Sequence, residues 1–262
     1  MCLITLAWQA HPDYALIVAA NRDELHTRST APAGPWHDQP RIFAGRDMQD
    51  GGTWMGVTTT GRFAALTNFR GLPQHRPSAR SRGHLVADFL AGATSAEGYA
   101  REQAPRRMEY NGFNLLLGDT QDLWYLADDG DGLAAVAQGV HTLSNARLDT
   151  PWPKSTGLAD VLRGLIDRHA TEDALAEQLF EALGDTRPAP DGALPETGVG
   201  VARERELSPR KIIAPRYGTR SSAVVLIAHD RTIRFEERSF DALGRVTGAV
   251  KRQLKPPIDP PA

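Results

Sequence analysis

Two apolar runs at the start of the chain, separated by a short turn, constrain the fold most strongly. The runs cover Cys2 to Gln9 and Tyr14 to Asn21, and His11-Pro12-Asp13 lies between them. Apolar, β-branched runs on either side of such a turn predict an antiparallel hairpin. With Pro12 at the centre of the turn, residues that face each other across the hairpin have numbers that sum to about 24. The sequence therefore places Cys2 opposite Arg22.

The other segments predict a mixed α and β protein rather than a helical bundle. The 262 residues include 24 glycines and 18 prolines, which favours many turns between short elements. Strands are predicted at residues 53–59, 62–69, 113–118, 123–127, 133–136, 140–144, 223–228 and 232–237. Helices are predicted from Ser81 to Gly92, from Ser95, over 156–168 and over 172–183, with a short helical segment after residue 237. The four strands between residues 113 and 144 are expected to form one meander.

This order of elements indicates one domain, built from two antiparallel sheets with helices packed outside them. Strands and helices do not alternate one by one, as they do in a doubly wound parallel sheet. Residues 184–209 are polar and contain several glycines and prolines, which predicts a long loop. Residues 255–262 form a proline-rich tail. We therefore expect a single domain over residues 1–262.

Composition and charge exclude several classes of protein. The net charge is −2, which removes the global electrostatic reason to expect a nucleic acid as the partner. No apolar run approaches the roughly 20 residues of a membrane helix, and Met1 to Gln9 lacks the positive charge of a secretory signal. The chain has one cysteine and eight scattered histidines, which argues against a metal site and suits a reducing compartment. We expect a cytoplasmic protein without a catalytic metal.

The single cysteine is the strongest chemical signal in the sequence. Cys2 follows Met1, and so small a side chain normally allows an aminopeptidase to remove the methionine. Cys2 would then carry a thiol with a reference pKa of about 8.5 and an α-amine with a reference pKa of about 7.7 to 8.0. Because the amine can accept the thiol proton near neutral pH, an N-terminal cysteine is a nucleophile with its own base. The alternative is a buried, inert thiol.

Polar residues at the strand ends are candidate partners for this thiol. The hairpin brings Arg22 beside Cys2, where a cation would lower the thiol pKa, and Asp23 could orient the α-ammonium. Asn68 and Asn145 each end an apolar strand, and an amide N–H can stabilise the oxyanion of a tetrahedral intermediate. The alternatives are a solvated charged turn after the second strand and ordinary turn residues at the two asparagines.

Short motifs spread over most of the chain resemble the NRDE family, which is named for Asn21-Arg22-Asp23-Glu24 and includes the eukaryotic transport and Golgi organisation 2 proteins. The other motifs are Met1-Cys2, Gly51 to Gly56, Thr67 to Arg70, Ser81 to Gly83, Asn111 to Leu116, Leu143 to Asn145, Pro151 to Lys154 and Gly218 to Ser221. The resemblance implies the N-terminal-nucleophile hydrolase superfamily. It therefore implies an α+β fold, the αββα four-layer sandwich.

A more distant likeness, to cholylglycine hydrolases and penicillin V acylases, implies roles for the site residues. The roles it implies are nucleophile for Cys2, oxyanion donors for Asn68 and Asn145, and late catalytic arginine for Arg220. Those amidases place an arginine and an aspartate three residues apart after the second strand. Arg22 and Asp23 are adjacent in this chain, so the groups around the thiol differ from those of the amidases.

The first functional hypothesis is a hydrolase that needs no cofactor. In it, Cys2 attacks the carbonyl of a non-peptide C–N amide bond of a small molecule, and Arg22, Asp23 and Arg220 orient the reacting groups. The substrate-binding residues in this interpretation are Asn21, Glu24, Trp54 and Arg70. Arg70 begins a basic stretch that continues with His75, Arg76, Arg80 and Arg82. This stretch is either a solvated loop or a site for a carboxylate or a propionate.

The second hypothesis is a carrier without catalytic activity. The family's link to haem trafficking implies a pocket for haem or another hydrophobic anion, with Cys2 or a histidine as a candidate axial ligand. The third hypothesis is that the chain is an interaction protein, and it rests on the family link alone. The sequence leaves the substrate and the oligomeric state open.

Overall fold

A computed structural model describes residues 2–70, 76, 78–127 and 132–256. The strands are β1 (Cys2–Trp8), β2 (Tyr14–Leu25), β3 (Thr30–Pro35), β4 (Ile42–Asp47), β5 (Met55–Thr58), β6 (Phe63–Asn68), β7 (Phe113–Gly118), β8 (Leu123–Ala127), β9 (Leu133–Ala135), β10 (Gly139–Leu143), β11 (Tyr217–Ala228), β12 (Ile233–Phe240) and β13 (Val246–Leu254). The helices are α1 (Gly83–Ala91), α2 (Ala96–Gln103), α3 (Pro153–Asp167), α4 (Glu172–Leu183) and α5 (Val201–Glu206), with 3₁₀ helices at Ala104–Glu109 and Asp191–Ala193.

Within the described residues, the strands form two antiparallel sheets. The six-stranded sheet has the order β10-β1-β2-β11-β12-β13. The seven-stranded sheet runs from β3 to β9 in chain order. The N-terminal hairpin therefore lies in the interior of the first sheet, with a neighbouring strand on each side.

The two sheets pack face to face, and helices cover their outer faces. One apolar cluster joins inward side chains of both sheets, among them Ile4, Leu6 and Phe63. A second cluster joins the outer face of the seven-stranded sheet to α1 and α2, and a third joins the outer face of the six-stranded sheet to α3 and α4. The expected αββα four-layer sandwich is confirmed, because apolar side chains on both faces of each sheet find a partner layer.

The N-terminal hairpin has the register that the sequence predicted. Its cross-strand pairs run from Cys2 opposite Arg22 to Trp8 opposite Leu16, and every pair has numbers that sum to 24. The second strand continues through the Asn-Arg-Asp-Glu motif to Leu25. On its other side this strand pairs with β11, which brings Thr219 beside Asp23. Both neighbours of β2 therefore contribute to the surroundings of the motif.

Two predicted elements are corrected by the structure. The last strand of the expected meander, β10, leaves the seven-stranded sheet and pairs with β1 instead. Gly139 begins it with a φ of 140°, a conformation that favours glycine and allows the chain to change sheets. The short helix expected after residue 237 is absent from the described residues, which there form β13. Its pairing with β12 outweighs the local preference for a helix.

The segment predicted to be a long loop, residues 184–209, contains one 3₁₀ turn and α5. The Leu207 carbonyl of this segment accepts a hydrogen bond from Lys154 in the first turn of α3, and Leu207 packs against Ile212 and Ala214. Of the predicted tail, residues 257–262 lie outside the described residues. No helix in the described part of the chain combines the length and the apolar character needed to cross a membrane.

Candidate active site

Cys2 lies at the start of β1, on the wall of a cavity of about 280 Å³. Its side chain is only 6% exposed, and Arg22 and Asp23 line the same cavity. The pairing of β1 with β2 fixes this arrangement, since Arg22 is the direct cross-strand partner of Cys2. The structure therefore brings together the thiol and the two charged residues that the sequence placed beside it.

The charged neighbours act on the Cys2 thiol in opposite directions. Burial is the largest effect and raises the pKa of the thiol. The Asp23 carboxylate raises this pKa further, whereas the Arg22 guanidinium and a hydrogen bond from the Asp23 backbone N–H lower it. The net direction is upward, so the thiol needs a base to become a nucleophile at neutral pH.

Asp23 is held in place by β11. The Thr219 hydroxyl donates to the Asp23 carboxylate at 2.7 Å, and the Tyr217 hydroxyl donates to the Asp23 backbone carbonyl at 2.9 Å. The residue is 1% exposed, and burial raises the pKa of its carboxyl group. The charges of Lys154 and Arg22 and the bond from Thr219 oppose that rise. A carboxylate fixed in this way has a defined orientation next to the first residues of the chain.

Arg22 lies between the Cys2 cavity and a second cavity. It lines both, and its side chain is nearly fully buried. Its charge lowers the pKa of Cys2 in one cavity and of Glu237 in the other. Among the described residues, its Nη1 atom has no hydrogen-bond partner. A buried guanidinium with an unused donor is costly unless a ligand or water meets it.

Arg220 lines the second cavity rather than the one at Cys2. It lies in a register shift between Thr219 and Ser221, where β11 bulges away from regular pairing with β2. Such a bulge redirects the side chain of the extra residue. The Arg220 guanidinium contacts the His26 ring at 3.0 Å. The structure thus brings Arg220 close to Arg22 but not onto the described wall beside the thiol.

Asn68 and Asn145 meet at the end of β6. Asn68 lines the Cys2 cavity, and Asn145 is fully buried behind it. The Asn145 side-chain amide donates to the Asn68 backbone carbonyl at 2.8 Å. Asn145 is not among the described residues that line the cavity. Asn68 is therefore placed to meet a ligand, and Asn145 holds the strand end that carries it.

The predicted substrate-binding residues fall into two groups. Glu24 and Trp54 line the Cys2 cavity. Asn21 points to the helix layer, where its amide donates to the carbonyl oxygens of Leu183 at 2.9 Å and Arg210 at 2.8 Å. Arg70 forms a buried ion pair with Glu204 at 2.6 Å, beside a separate small cavity. The structure does not bring Asn21 or Arg70 onto the wall around the thiol.

Lys154 and Glu204 are buried charged residues whose roles the sequence did not reveal. Lys154 is in the first turn of α3, its ammonium donates to the Leu207 carbonyl at 3.1 Å, and burial lowers its pKa to about 8. The charges of Asp23 and Cys2 act on it in the opposite direction. A cation in the first turn opposes the helix dipole. The sequence predicted this helix over 156–168, after Lys154, and therefore gave no signal of this position.

Arginines line the outer part of the Cys2 cavity. Arg76, Arg80 and Arg82, from the predicted basic stretch, line it together with Arg28. Arg28 is paired with the two acidic residues Asp47 and Asp50. His75 of the same stretch lies outside the described residues. In the described ranges, no group of three or more histidine, cysteine, aspartate and glutamate side chains is arranged to hold a metal ion.

Comparisons with known proteins agree over nearly the whole chain. A sequence model of the family described as Transport and Golgi organisation 2 matches residues 1–242. The transport and Golgi organization protein 2 homolog of Bos taurus is 36% identical over 261 residues, which cover 92% of this chain and 93% of that protein. The Homo sapiens homolog is 33% identical over 259 residues, with coverage of 92% and 93%.

Solved structures that resemble the chain include two hydrolases. The N-acylethanolamine-hydrolyzing acid amidase ortholog of Caenorhabditis elegans has a TM-score of 0.48 and 11% identity, and the match covers 86% of this chain and 92% of that one. A mutant of the conjugated bile acid hydrolase of Clostridium perfringens has a TM-score of 0.45 and 9% identity, with coverage of 96% and 92%.

Proposed function

The chain belongs to the transport and Golgi organisation 2 family, and we propose that it hydrolyses small non-peptide amides with Cys2 as the nucleophile after removal of Met1. The observation that carries the proposal is the position of Cys2 on a cavity wall, opposite Arg22 and next to Asp23. An inert structural thiol needs only apolar neighbours, whereas reactive thiols lie among charged groups at a cavity.

The proposed reaction uses the chemistry of an N-terminal cysteine. The free α-amine of Cys2 takes the thiol proton, the sulfur bonds to the amide carbonyl carbon, and the carbonyl oxygen becomes an oxyanion. The ammonium then gives its proton to the leaving nitrogen as the C–N bond breaks, which leaves a thioester on Cys2. The amine takes a proton from water, the hydroxide attacks the thioester, and the acid and the free thiol are released.

Arg22 and Asp23 have complementary tasks in this proposal. The Arg22 charge and the Asp23 backbone N–H both favour the thiolate, which offsets part of the effect of burial. The Asp23 carboxylate, fixed by Thr219, is the group that would orient the protonated α-amine. These contacts support a nucleophile that ionises when a substrate is in place.

Asn68 is the proposed donor to the oxyanion. It lies at the cavity wall, at the end of β6, and the Asn145 amide holds its backbone carbonyl. A donor fixed before the reaction stabilises developing charge without a cost of reorganisation. We propose that Asn145 acts through Asn68 as a positioning residue.

The substrate in this proposal is small and carries an anionic group. The cavity, at about 280 Å³, lies near the lower end of the range of about 300–1000 Å³ found for small-molecule sites. Arg76, Arg80 and Arg82 line it, and guanidinium groups recognise carboxylates with paired hydrogen bonds. An amide of an amino acid or of another small acid has this chemistry.

The carrier hypothesis fits the described cavity less well. Haem requires a broad apolar wall and an axial ligand. The described lining of the Cys2 cavity is mostly polar and charged; it contains no histidine, and Cys2 is the candidate axial ligand on it. We expect an unchanged absorbance spectrum when the protein is titrated with haem.

Amide hydrolysis by the purified full chain tests the proposed activity. The assay measures amine release from a panel of small N-acyl amino acids, in parallel with the mass of protein quenched in acid. Because the chain contains one cysteine, Cys2→Ala removes the only thiol and still permits loss of Met1. We expect release of amine and a thioester adduct from the unmodified chain, and neither from Cys2→Ala. Equal hydrolysis by both chains would contradict the proposal.

A further inference from the structure

The second cavity, of about 330 Å³, is a separate feature of the sandwich edge. Residues of β3 line it on the side of the seven-stranded sheet, and residues of β12 and β13 line it on the side of the six-stranded sheet. It shares Arg22 and Thr30 with the described wall of the Cys2 cavity. The amide hydrolysis proposed above does not use this space.

Two guanidinium groups line this cavity, the buried one of Arg22 and the half-buried one of Arg220. Arg22 is 6% exposed, and its Nη1 atom has no hydrogen-bond partner among the described residues. The Nε atom of Arg220 is also buried without a partner there, although its Nη1 contacts His26. Buried donors are almost always satisfied in native proteins. Unused donors on two arginines of one cavity wall favour a hydrogen-bond acceptor as the occupant of this cavity.

The one acidic residue on the described wall does not supply that acceptor. Glu237 is buried, and its carboxyl group accepts the Ala33 backbone N–H at 2.8 Å and a bond from Ser221. Two guanidinium groups and one carboxyl group leave the cavity with at least one unbalanced positive charge. A single carboxylate balances that charge and matches the planar fork of an arginine.

Apolar residues form another part of the wall. Pro32 on β3, Phe240 on β12 and Val250 on β13 line the cavity. We propose that the cavity binds a small organic carboxylate, with its carboxylate group on Arg22 and Arg220 and its apolar body against Phe240 and Val250. This inference goes beyond the proposed hydrolysis and does not depend on turnover at Cys2.

Titration of the full chain with benzoate tests the proposal, with neutral benzamide as the matched probe of the same shape. Calorimetry and saturation-transfer NMR measure binding. We expect benzoate to bind and benzamide to bind at least about tenfold more weakly, because a charge-assisted hydrogen bond contributes about 1.5–3 kcal/mol. Arg220→Gln is expected to weaken benzoate binding by a similar factor. Arg187→Gln, at an exposed arginine outside both described cavity walls, is the matched control and should leave it unchanged.

A second variant fills the cavity without touching either arginine. Gly248 lines it on the same face of β13 as Val250, and a Cβ atom at Gly248 would meet nothing within 4 Å. Gly248→Leu should therefore keep the fold, seen by circular dichroism, and abolish benzoate binding. Gly192→Leu adds the same side chain outside this cavity wall, where a Cβ atom also meets nothing, and should bind benzoate normally.

Three results would overturn the proposal. One is the absence of benzoate binding at millimolar concentrations. Another is equal affinity for benzoate and benzamide. The third is benzoate binding that persists in Gly248→Leu and Arg220→Gln but is lost in Arg82→Gln, which would place the ligand in the Cys2 cavity.

Discussion

Asn21 and Arg22 are neighbours on β2, yet they face opposite sides of the six-stranded sheet and differ in how fully their polar atoms are hydrogen-bonded. The Asn21 amide donates to two backbone carbonyls, and the Ser222 hydroxyl donates to its Oδ1 at 2.5 Å. Arg22, between the two cavities, keeps a buried atom without a partner among the described residues. On the helix side the polar atoms hold the fold together, and on the inner side they are available to a ligand.

This contrast divides the Asn-Arg-Asp-Glu motif by function. Asn21 joins the sheet to the last residue of α4 and to the chain segment that precedes β11. Arg22, Asp23 and Glu24 line the cavity at Cys2. A motif that reads as one unit in the sequence therefore contains one structural residue and three residues of the candidate site.

The largest expected effect is on the structural side. Asn21→Leu leaves the buried Leu183 carbonyl, the partly buried Arg210 carbonyl and the Ser222 hydroxyl without their partner, at about 1–3 kcal/mol for each unsatisfied group. We expect the free energy of unfolding to fall by about 3–5 kcal/mol, measured by urea denaturation. Ser222→Ala, which removes a single one of these bonds, is the matched control and should cost about 1 kcal/mol. A loss below 1 kcal/mol in Asn21→Leu would contradict the structural role.

Lys154 connects the two sides of the six-stranded sheet. It lies on α3 in the helix layer, and its charge acts on Asp23 at the Cys2 cavity. Its pKa is lowered to about 8 by burial, whereas an unfolded lysine has a pKa of about 10.4. Below about pH 8 the ammonium is charged in both states, and its burial costs the fold roughly 3 kcal/mol. Between about pH 8 and 10.4 the unfolded chain binds more protons, so that cost disappears and stability rises.

Denaturation at neutral and alkaline pH checks this linkage. The free energy of unfolding of the unmodified chain should gain roughly 3 kcal/mol between about pH 8 and 10.4 relative to Lys154→Met. The same tyrosines titrate in both chains, so their contributions cancel in the difference, and repeating the comparison in a Cys2→Ala background removes the thiolate charge that acts on Lys154. A difference that stays constant with pH would show that Lys154 ionises normally.

A smaller effect is expected on the inner side, at the thiol. Arg22 lowers the pKa of Cys2, so Arg22→Met should raise it and reduce the thiolate fraction, about tenfold for each unit of pKa. We expect alkylation by iodoacetamide to slow by about three- to tenfold near neutral pH. The reaction reports Cys2 alone, because the chain has one cysteine.

Arg22→Lys is the matched control for that experiment. It keeps the positive charge on the same strand position and should restore most of the alkylation rate. Equal rates in Arg22→Met and the unmodified chain would mean that the arginine has no electrostatic role at the thiol.

Local patterns in the sequence predicted much of the fold. The hairpin register followed from the position of one turn, and α4 spans the predicted residues 172–183. The sheet that contains β10 was predicted wrongly because its partner, β1, lies in a distant part of the chain. The segment that forms β13 was expected to be helical, and its pairing with β12 overrides that weak local preference. Pairing between strands is a tertiary interaction, so short segments with little periodicity do not reveal it.

The candidate site was predictable only where it depends on one hairpin. Cys2, Arg22 and Asp23 meet because a single turn sets their register. Arg220 lies in the second cavity because a bulge in β11 redirects it, and a bulge has no clear sequence signal here. Lys154 reaches the charges of Asp23 and Cys2 only through the packing of α3 on the sheet. The contributions of Arg220 and Lys154 to the site therefore depend on long-range geometry, which local sequence patterns do not reveal.

The central claim is that Cys2 is the first residue of the mature protein, so that its thiol and the free α-amine belong to the same residue. Intact-mass spectrometry of the purified chain, followed by sequencing of its N-terminal peptide, measures this directly. We predict that the mass is lower than that of the translated chain by one methionine and that a mild electrophile labels the new first residue, Cys2. Retention of Met1 on every molecule would contradict the account.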